Sequence, residues 1–531
     1  MTLAHHAPSA RLIKTLSKTN NSVLTQGILR GVEKEGLRVL PNGTLSLTPH
    51  PIGLGSALTH PHITTDFSES LLEYITAPTH LDQQIQDDLT QLQSFSYEQL
   101  NNEVIWPMSM PCELPSDGRI PVAQYGTSNR AKMKTVYREG LGLRYGRTMQ
   151  TVAGLHYNFS LPRAFWALMH HQELSTQPLD KFITHKYFHL IRNFRRYYWL
   201  LIYLFGASPA VDASFVKDRQ HNLVPLAPNT LGLPYATALR MGNLGYQSSA
   251  QSSLFVCYNT LKSYTNTLAK AISTPYAEYE NLGDGKLKQL NTSLLQIENE
   301  FYSAIRPKRT AHHNETALTA LCNRGVEYLE VRCLDLDPFE ASGIARSTVK
   351  FLDVFLVYCL FKPSPACEKD EFIHTQDNQQ RVVTQGRKAD LDLITPTGES
   401  ISLKNWGLEL ITDMATVAEL LDKTHNTGDY SLALTDARNK LLDSALTPSA
   451  KIADAHAKGI SHIQFGLQQA NKHKNDLAEL AKNEEYDSRY QEMTQESLRL
   501  LAEEENQVQL PFDEYLANYY QQYQTCCDKS C

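Results

Sequence analysis

The chain has 531 residues, 42% of them hydrophobic and 20% charged, with a formal net charge of −7. That length supports a sizeable buried core and two to four domains, or one large body with appendages. Lys and Arg are scattered rather than blocked, which argues against a nucleic-acid partner. The opening segment, MTLAHHAPSARLIKTLSKTNNS, carries no continuous apolar stretch of the secretory kind. The longest apolar run, Tyr197–Phe205, is far below the ~20 residues of a membrane span and reads as the buried end of a helix. A cytoplasmic protein without a membrane partner is therefore expected. Nine cysteines lie mostly apart, with no CxxC pair. This disfavours a zinc site, and a chain of this length needs no disulfide staples. Cys526, Cys527 and Cys531 crowd a tail read as a loose end with incidental thiols.

In chain order, residues 27–160 alternate strand-like segments with Gly and Pro punctuation. The first, GVEKEGLRV (31–39), has the period of a strand, so Glu33 and Glu35 share a face with Leu37 and Val39. Alone, the pair also suits a surface ion-pair cluster with Lys34 and Arg38. TTDFSESLLEYIT places Asp66, Glu69 and Glu73 at helical spacing, which predicts a short helix over Asp66–Thr76. Residues 81–103 predict a longer helix. In GLHYNFS, His156, Asn158 and Ser160 share one strand face. Residues 178–205 predict a long helix ending at GASP, and helical spacing recurs at 255–282 and 340–361. Strands are expected near 296–306 and 325–334. In the latter, Tyr328, Glu330 and Arg332 share a face. Beyond residue 405 the pattern is almost purely helical, over 408–424, 430–443, 448–470 and 474–505, the last a solvated outer helix. This predicts an α+β body over 1–405 and a mainly helical part, packed on it, over 406–531.

Each acidic segment alone has an ordinary structural explanation. Together they offer five carboxylates and a histidine, a donor set suited to Mg²⁺ with substrate phosphates completing its shell. The basic string Arg306, Lys308 and Arg309 suits the phosphates. No GxxxxGK[ST] loop, Rossmann context or GxSxG elbow occurs, so those readings fail.

The strings GVEKEGLRV, TTDFSESLLEYIT, WPMSMPCELP, YREGLGLRYGRTMQTVAGLHYNFS, LPYATALRMGNLGY, LQIENEFYSAIRPKR and GVEYLEVRCLDLDPF resemble, in order, the bacterial glutamate–cysteine ligases. The likeness covers roughly residues 27–395. It implies a curved antiparallel sheet, a funnel with surrounding helices, of the glutamine synthetase type. It implies ATP-dependent joining of the γ-carboxylate of L-glutamate to the amine of L-cysteine through a γ-glutamyl phosphate. That reaction is the first step of glutathione biosynthesis, run by a cytoplasmic monomer. By the resemblance, Glu33, Glu35, Asp66, Glu73, His156 and Glu330 would hold Mg²⁺, or Mn²⁺ in its place. Glu33, Glu330 and Arg332 would be catalytic. Phe67, Tyr137, Leu141, Gln150, Tyr246 and Tyr302 would form the cysteine pocket. Arg138 and Arg240 would bind substrate carboxylates, and Arg306 and Lys308 would bind ATP phosphates. The nearest alternative, a ligase using ammonia, fits the aromatic pocket poorly. The region 235–250 is a candidate loop to close over the site.

Overall fold

A computed structural model describes residues 7–18, 22–244, 249–252, 254–282, 288–479 and 484–529. Its centre is an open seven-stranded antiparallel sheet. The strands are β1 (Leu29–Val39), β2 (Ile63–Thr65), β3 (Leu71–Ile75), β4 (Val104–Ile105), β5 (Leu155–Ser160), β6 (Ile305–Lys308) and β7 (Tyr328–Leu334). Their spatial order is β2-β3-β1-β5-β7-β6, with β4 paired to the end of β1. The α+β expectation of an antiparallel sheet wrapped by helices is met.

Strand alternation divides the sheet into a polar and an apolar face. Glu33 lies opposite His156, Glu35 opposite Glu73, and Glu330 opposite both Asn158 and Arg306. Directly paired residues share a face, so these side chains converge. The intervening residues Val32, Tyr74, Tyr157, Leu329 and Val331 are fully buried on the other face. There Arg30 of β1 reaches down to Asp353 of the helix Arg346–Phe361, its Nη2 2.6 Å from Oδ2, and Tyr157 donates to the same carboxylate at 2.7 Å. That helix is buried almost all round, as its largely apolar sequence requires. Helix Asp82–Gln99 packs against β1 and β3.

The predicted helix over Asp66–Thr76 is not formed. Residues 66–70 make a turn and Leu71–Ile75 is a strand, held between β1 and β2. Backbone pairing with two neighbours outweighs the helical spacing of three acids. The consequence is that Glu69 leaves the stripe, and its carboxylate accepts from the backbone N–H of His50 and Gln124, each at 2.5 Å. The strand expected near 296–306 begins only at Ile305, after a 3₁₀ turn at Glu298–Glu300. Buried Glu300 explains the turn: it accepts from Arg144 Nη1 at 2.9 Å, Tyr145 OH at 2.5 Å and the Gln296 N–H at 2.6 Å.

The long helix near 178–205 is two, Leu179–Tyr197 and Trp199–Phe205, stopped at Gly206. The helical stretch at 255–282 divides into Leu261–Ser273 and the short Ala277–Glu280, and that at 340–361 contracts to Arg346–Phe361. The C-terminal part forms the helices Leu403–His425, Asp429–Leu442, Pro448–Ala457, His462–Glu479, Glu484–Glu505 and Phe512–Lys529. The last of these packs on helix Ala317–Arg324 and on Leu261–Ser273, so the chain end is a docked helix up to Lys529 rather than a loose tail. Contrary to the expectation that no disulfide is needed, Cys322 is disulfide-bonded. The side chains of Cys526, Cys527 and Cys531 lie outside the described residues. No helix among the described residues is long and apolar enough to cross a membrane.

His462 joins the helical part to the body. Its ring lies 3.0 Å from the Pro111 carbonyl, against Trp106, and its backbone N–H donates to Thr230 Oγ1 at 2.7 Å. Burial, then the neighbouring His456, pushes its pKa down from 6.5 to about 3. The unfolded chain therefore binds a proton between those values that the folded chain refuses. The stability due to neutral His462 is complete above pH 6.5 and is lost as the pH falls. Urea unfolding of wild type and His462→Gln is expected to differ by about 2 kcal/mol in the stability each loses between pH 7 and pH 5, wild type losing more. Equal losses would remove this role.

Candidate active site

The polar face of the sheet gathers the predicted acids. Glu33, Glu73 and His156 each offer one ligand atom, all within 4.8 Å of one another. His156 Nδ1 lies 3.1 Å from Glu33 Oε2, and its Nε2 lies 3.8 Å from Glu35 Oε1. Glu35 accepts the backbone N–H of Gly154 at 2.5 Å. Asn158 donates to Glu33 Oε1 at 3.0 Å. Asp66 sits on the turn before β3, where its backbone carbonyl accepts from Tyr125 OH at 2.9 Å and from Arg138 Nε.

These acids do not share one protonation behaviour. Burial, followed by the charge of Asp66, pushes Glu35 up to about 8. Burial pushes Glu73 up as well, reinforced by Glu33, Asp66 and Glu35. Burial would also raise Glu33, but its hydrogen bond to His156 holds it below the ordinary value. Glu330 shows the opposite balance, since Lys308 and Arg332 overcome burial and hold it well below the carboxylate range. Burial and then Arg332 push His156 down, which favours the neutral, ligating imidazole. The cage is thus short of positive charge at Glu35 and Glu73 and saturated with it at Glu330.

Arg332 Nη1 is 3.0 Å from Glu330 Oε2 and 3.4 Å from His156 Nδ1. Lys308 Nζ is 3.1 Å from Glu330 Oε1 and remains partly exposed. Arg306, expected at phosphates, is buried with Nη2 donating to the carbonyls of Asn299, at 2.8 Å, and Phe301. A cavity of about 310 Å³ opens beside this array, lined among others by His156, Arg332, Arg240, Met241, Gln251 and Tyr302.

The remaining predicted residues approach from helix Asn129–Tyr145 and the following turn. Arg138 lies over the Tyr125 ring, 4.6 Å from its centroid. Gln150 donates to Tyr302 OH at 3.1 Å. Phe67, Leu141 and Gln150 are buried, and Tyr137 is partly so. Tyr246 lies outside the described residues. Two polar partners escape the sequence reading. Asn158 carried a usable signal, sharing the strand face of His156. Gly154 did not, because it acts through its backbone.

This geometry agrees with the comparisons. The family model "Glutamate-cysteine ligase" matches residues 13–382. The glutamate–cysteine ligase of Saccharophagus degradans is 53% identical, covering 97% of this chain and 98% of that one. The enzyme of Alcanivorax borkumensis is 47% identical, covering 96% and 98%. Among solved structures, the Francisella tularensis glutamate–cysteine ligase in complex with AMP superposes with a TM-score of 0.88 at 36% identity, covering 94% of this chain and 99% of that one. A bifunctional glutathione synthetase from Pasteurella multocida gives 0.71 at 25% identity, covering 90% of this chain and 55% of that one. With an acidic cage on an open antiparallel sheet and relatives near half identical over almost its whole length, the chain belongs to the glutamate–cysteine ligase family.

Proposed function

We propose that this site joins the γ-carboxylate of L-glutamate to the amine of L-cysteine, with ATP consumed through a γ-glutamyl phosphate. The observation that carries the reading is the acidic cage rimmed by Arg332 and Lys308. Its donor set, carboxylate oxygens with one imidazole, fits Mg²⁺ and equally Mn²⁺. The raised carboxyls of Glu35 and Glu73 mark where cationic charge is lacking. Glu33, Glu73 and His156 would hold one ion, with Glu35, Asp66 and Glu330 available around them. When bound, such ions neutralise the repulsion between a triphosphate and a carboxylate.

The chain's own groups do the rest. Arg332, aimed by Glu330, offers a planar fork to charge developing on the transferred phosphoryl group. Lys308 serves the nucleotide phosphates, and Arg306 stabilises the turn beside them. Arg138 and Arg240 fix amino-acid carboxylates, so that the amine meets the acyl phosphate as a positioned neighbour. Phe67, Tyr137, Leu141, Gln150 and Tyr302, with Tyr246, make a mixed apolar pocket suited to a thiol. Met241 and Asn243, from the segment proposed to close, line the cavity and would exclude water from the acyl phosphate. The reading includes a cytoplasmic monomer whose body spans 1–405 and whose helical part spans 406–531.

ADP release measured with L-glutamate, Mg²⁺ and a panel of amines is expected to be fastest with L-cysteine. Turnover with cysteine no faster than with ammonia would sink the assignment. Glu33→Gln and Glu330→Gln should each lower kcat by at least about 10²-fold with folding retained, because the first weakens the hold on the metal and the second releases Arg332, and both act on the reacting phosphate. Near-wild-type rates in both would refute the cage as the reaction centre. Glu73→Gln should melt no lower than wild type in EDTA, since it relieves like-charge crowding, yet gain less from added Mg²⁺. An unchanged Mg²⁺-induced shift in Tm would exclude Glu73 as a ligand.

A further inference from the structure

We propose that Asp335 is a positioning residue, the counter-ion that sets Arg240 in the orientation needed to hold a substrate carboxylate. The proposal rests on the reading of Arg240 as a carboxylate-binding residue. Arg240 is an unusual cavity residue, because its side chain is only 1% exposed although it lines the cavity beside Arg332 and His156. A guanidinium that deep needs a defined set of partners.

Several groups close around it, among them Met241 Sδ, 3.3 Å from Nη1. Nη2 donates to the backbone carbonyl of Arg332 at 3.2 Å. The backbone of Gly154 lies flat against the group; a Cβ there would fall 1.9 Å from Nη2. Asp335, fully buried, places Oδ1 3.8 Å from Nη1. The Asp335 carboxylate is itself rigidly held. Its Oδ2 accepts the N–H of Ala207 at 2.8 Å and the hydroxyl of Ser208 at 2.6 Å. Oδ1 is buried and accepts no hydrogen bond from a described group, so its charge is answered by Arg240. Ser208 Oγ also accepts from the backbone N–H of Arg240 at 3.4 Å, tying both ends of the pair to one loop.

The spacing has a chemical meaning. A bidentate pair at full hydrogen-bonding distance would occupy the fork of the guanidinium. At 3.8 Å the Asp335 carboxylate supplies counter-charge to Nη1 without a direct hydrogen bond. Gly154 extends the arrangement, since its N–H holds Glu35 while its bare Cα accommodates Arg240. The acidic cage and the carboxylate subsite are therefore set by one turn of backbone.

The test is steady-state kinetics of Asp335→Asn, which keeps the shape and removes the charge. We expect KM for one amino-acid substrate to rise about tenfold, the scale of one charge-assisted hydrogen bond, with kcat and KM for ATP within about twofold. Unchanged KM values for both amino acids would overturn the proposal, as would a joint loss of kcat, every KM and thermal stability. Ser208→Ala, which loosens Asp335 without touching its charge, should raise the same KM by a smaller factor and serves if Asp335→Asn does not fold; an unchanged KM there would again count against the proposal. Arg240→Lys separates the layers. If it leaves both amino-acid KM values unchanged, the underlying reading of Arg240 fails. If it raises one while Asp335→Asn raises none, only the positioning role fails. The double variant should be no worse than Arg240→Lys alone.

Discussion

The structure turns on like charges brought together on one sheet face. Two unit charges 4 Å apart interact by about 4 kcal/mol at an effective dielectric near 20. A domain's whole net stability is of the order of 5–15 kcal/mol. Glu33, Glu35, Glu73, Asp66 and Glu330 therefore need compensation. The compensation differs by position. Glu330 is offset by Lys308 and Arg332, and Glu33 by His156, whereas Glu35 and Glu73 are left to take up protons or a cation. An acidic surface laid out for solubility would relax outward into water. Here antiparallel pairing fixes the backbone, so the side chains are held close together. The apolar face supplies the restraint, through fully buried Val32, Tyr157 and Val331 and through the Arg30–Asp353 pair beneath β1.

What was legible in the sequence follows from the range of the forces involved. The alternation of β1 and β5 depends on neighbouring residues, so Glu33, Glu35 and His156 were readable as face-sharing groups. The segment 66–76 was misread because Asp66, Glu69 and Glu73 satisfy a helical stripe, while the strand is imposed by partners far back along the chain in β1. Its outcome still brings Glu73 to the cage, for a different geometric reason: direct opposition to Glu35. Glu298 and Glu300 looked like strand acids, but long-range partners such as Arg144 bend them into a turn. The roles of Gly154 and Asp335 were not readable at all. One acts through a backbone N–H and an absent Cβ, the other through a loop that lies far earlier in the chain, at Ala207 and Ser208.

The cations around the site differ by how far their donors are already engaged. Arg306 donates through Nη2 to carbonyls of the 299–301 turn and so braces that turn. Lys308 and Arg332 share one carboxylate and keep part of their surface exposed. Such half-engaged cations are pre-oriented without being neutralised, which is the condition for electrostatic stabilisation that costs little reorganisation.

The helical end acts on the same site from behind. Ser497 accepts the N–H of Ser56 at 3.0 Å and its carbonyl accepts Thr59 Oγ1 at 2.6 Å, fixing the loop that leads into β2 and on to Asp66. Further along the same helix, Glu504 meets Arg130 at 2.6 Å and Ser128 at 2.7 Å, at the start of the helix that carries Tyr137, Arg138 and Leu141. From the final helix, Tyr520 donates to the Gln296 carbonyl at 2.9 Å and Tyr523 to Glu298, next to the turn that Arg306 holds. A helix read from sequence as a solvated exterior, together with the final helix, thus presses on the entry segments of three site elements. Loops of that kind carry most of a site's freedom to move. Anchoring them on helices outside the sheet lets the acidic face stay crowded without the segments around it giving way.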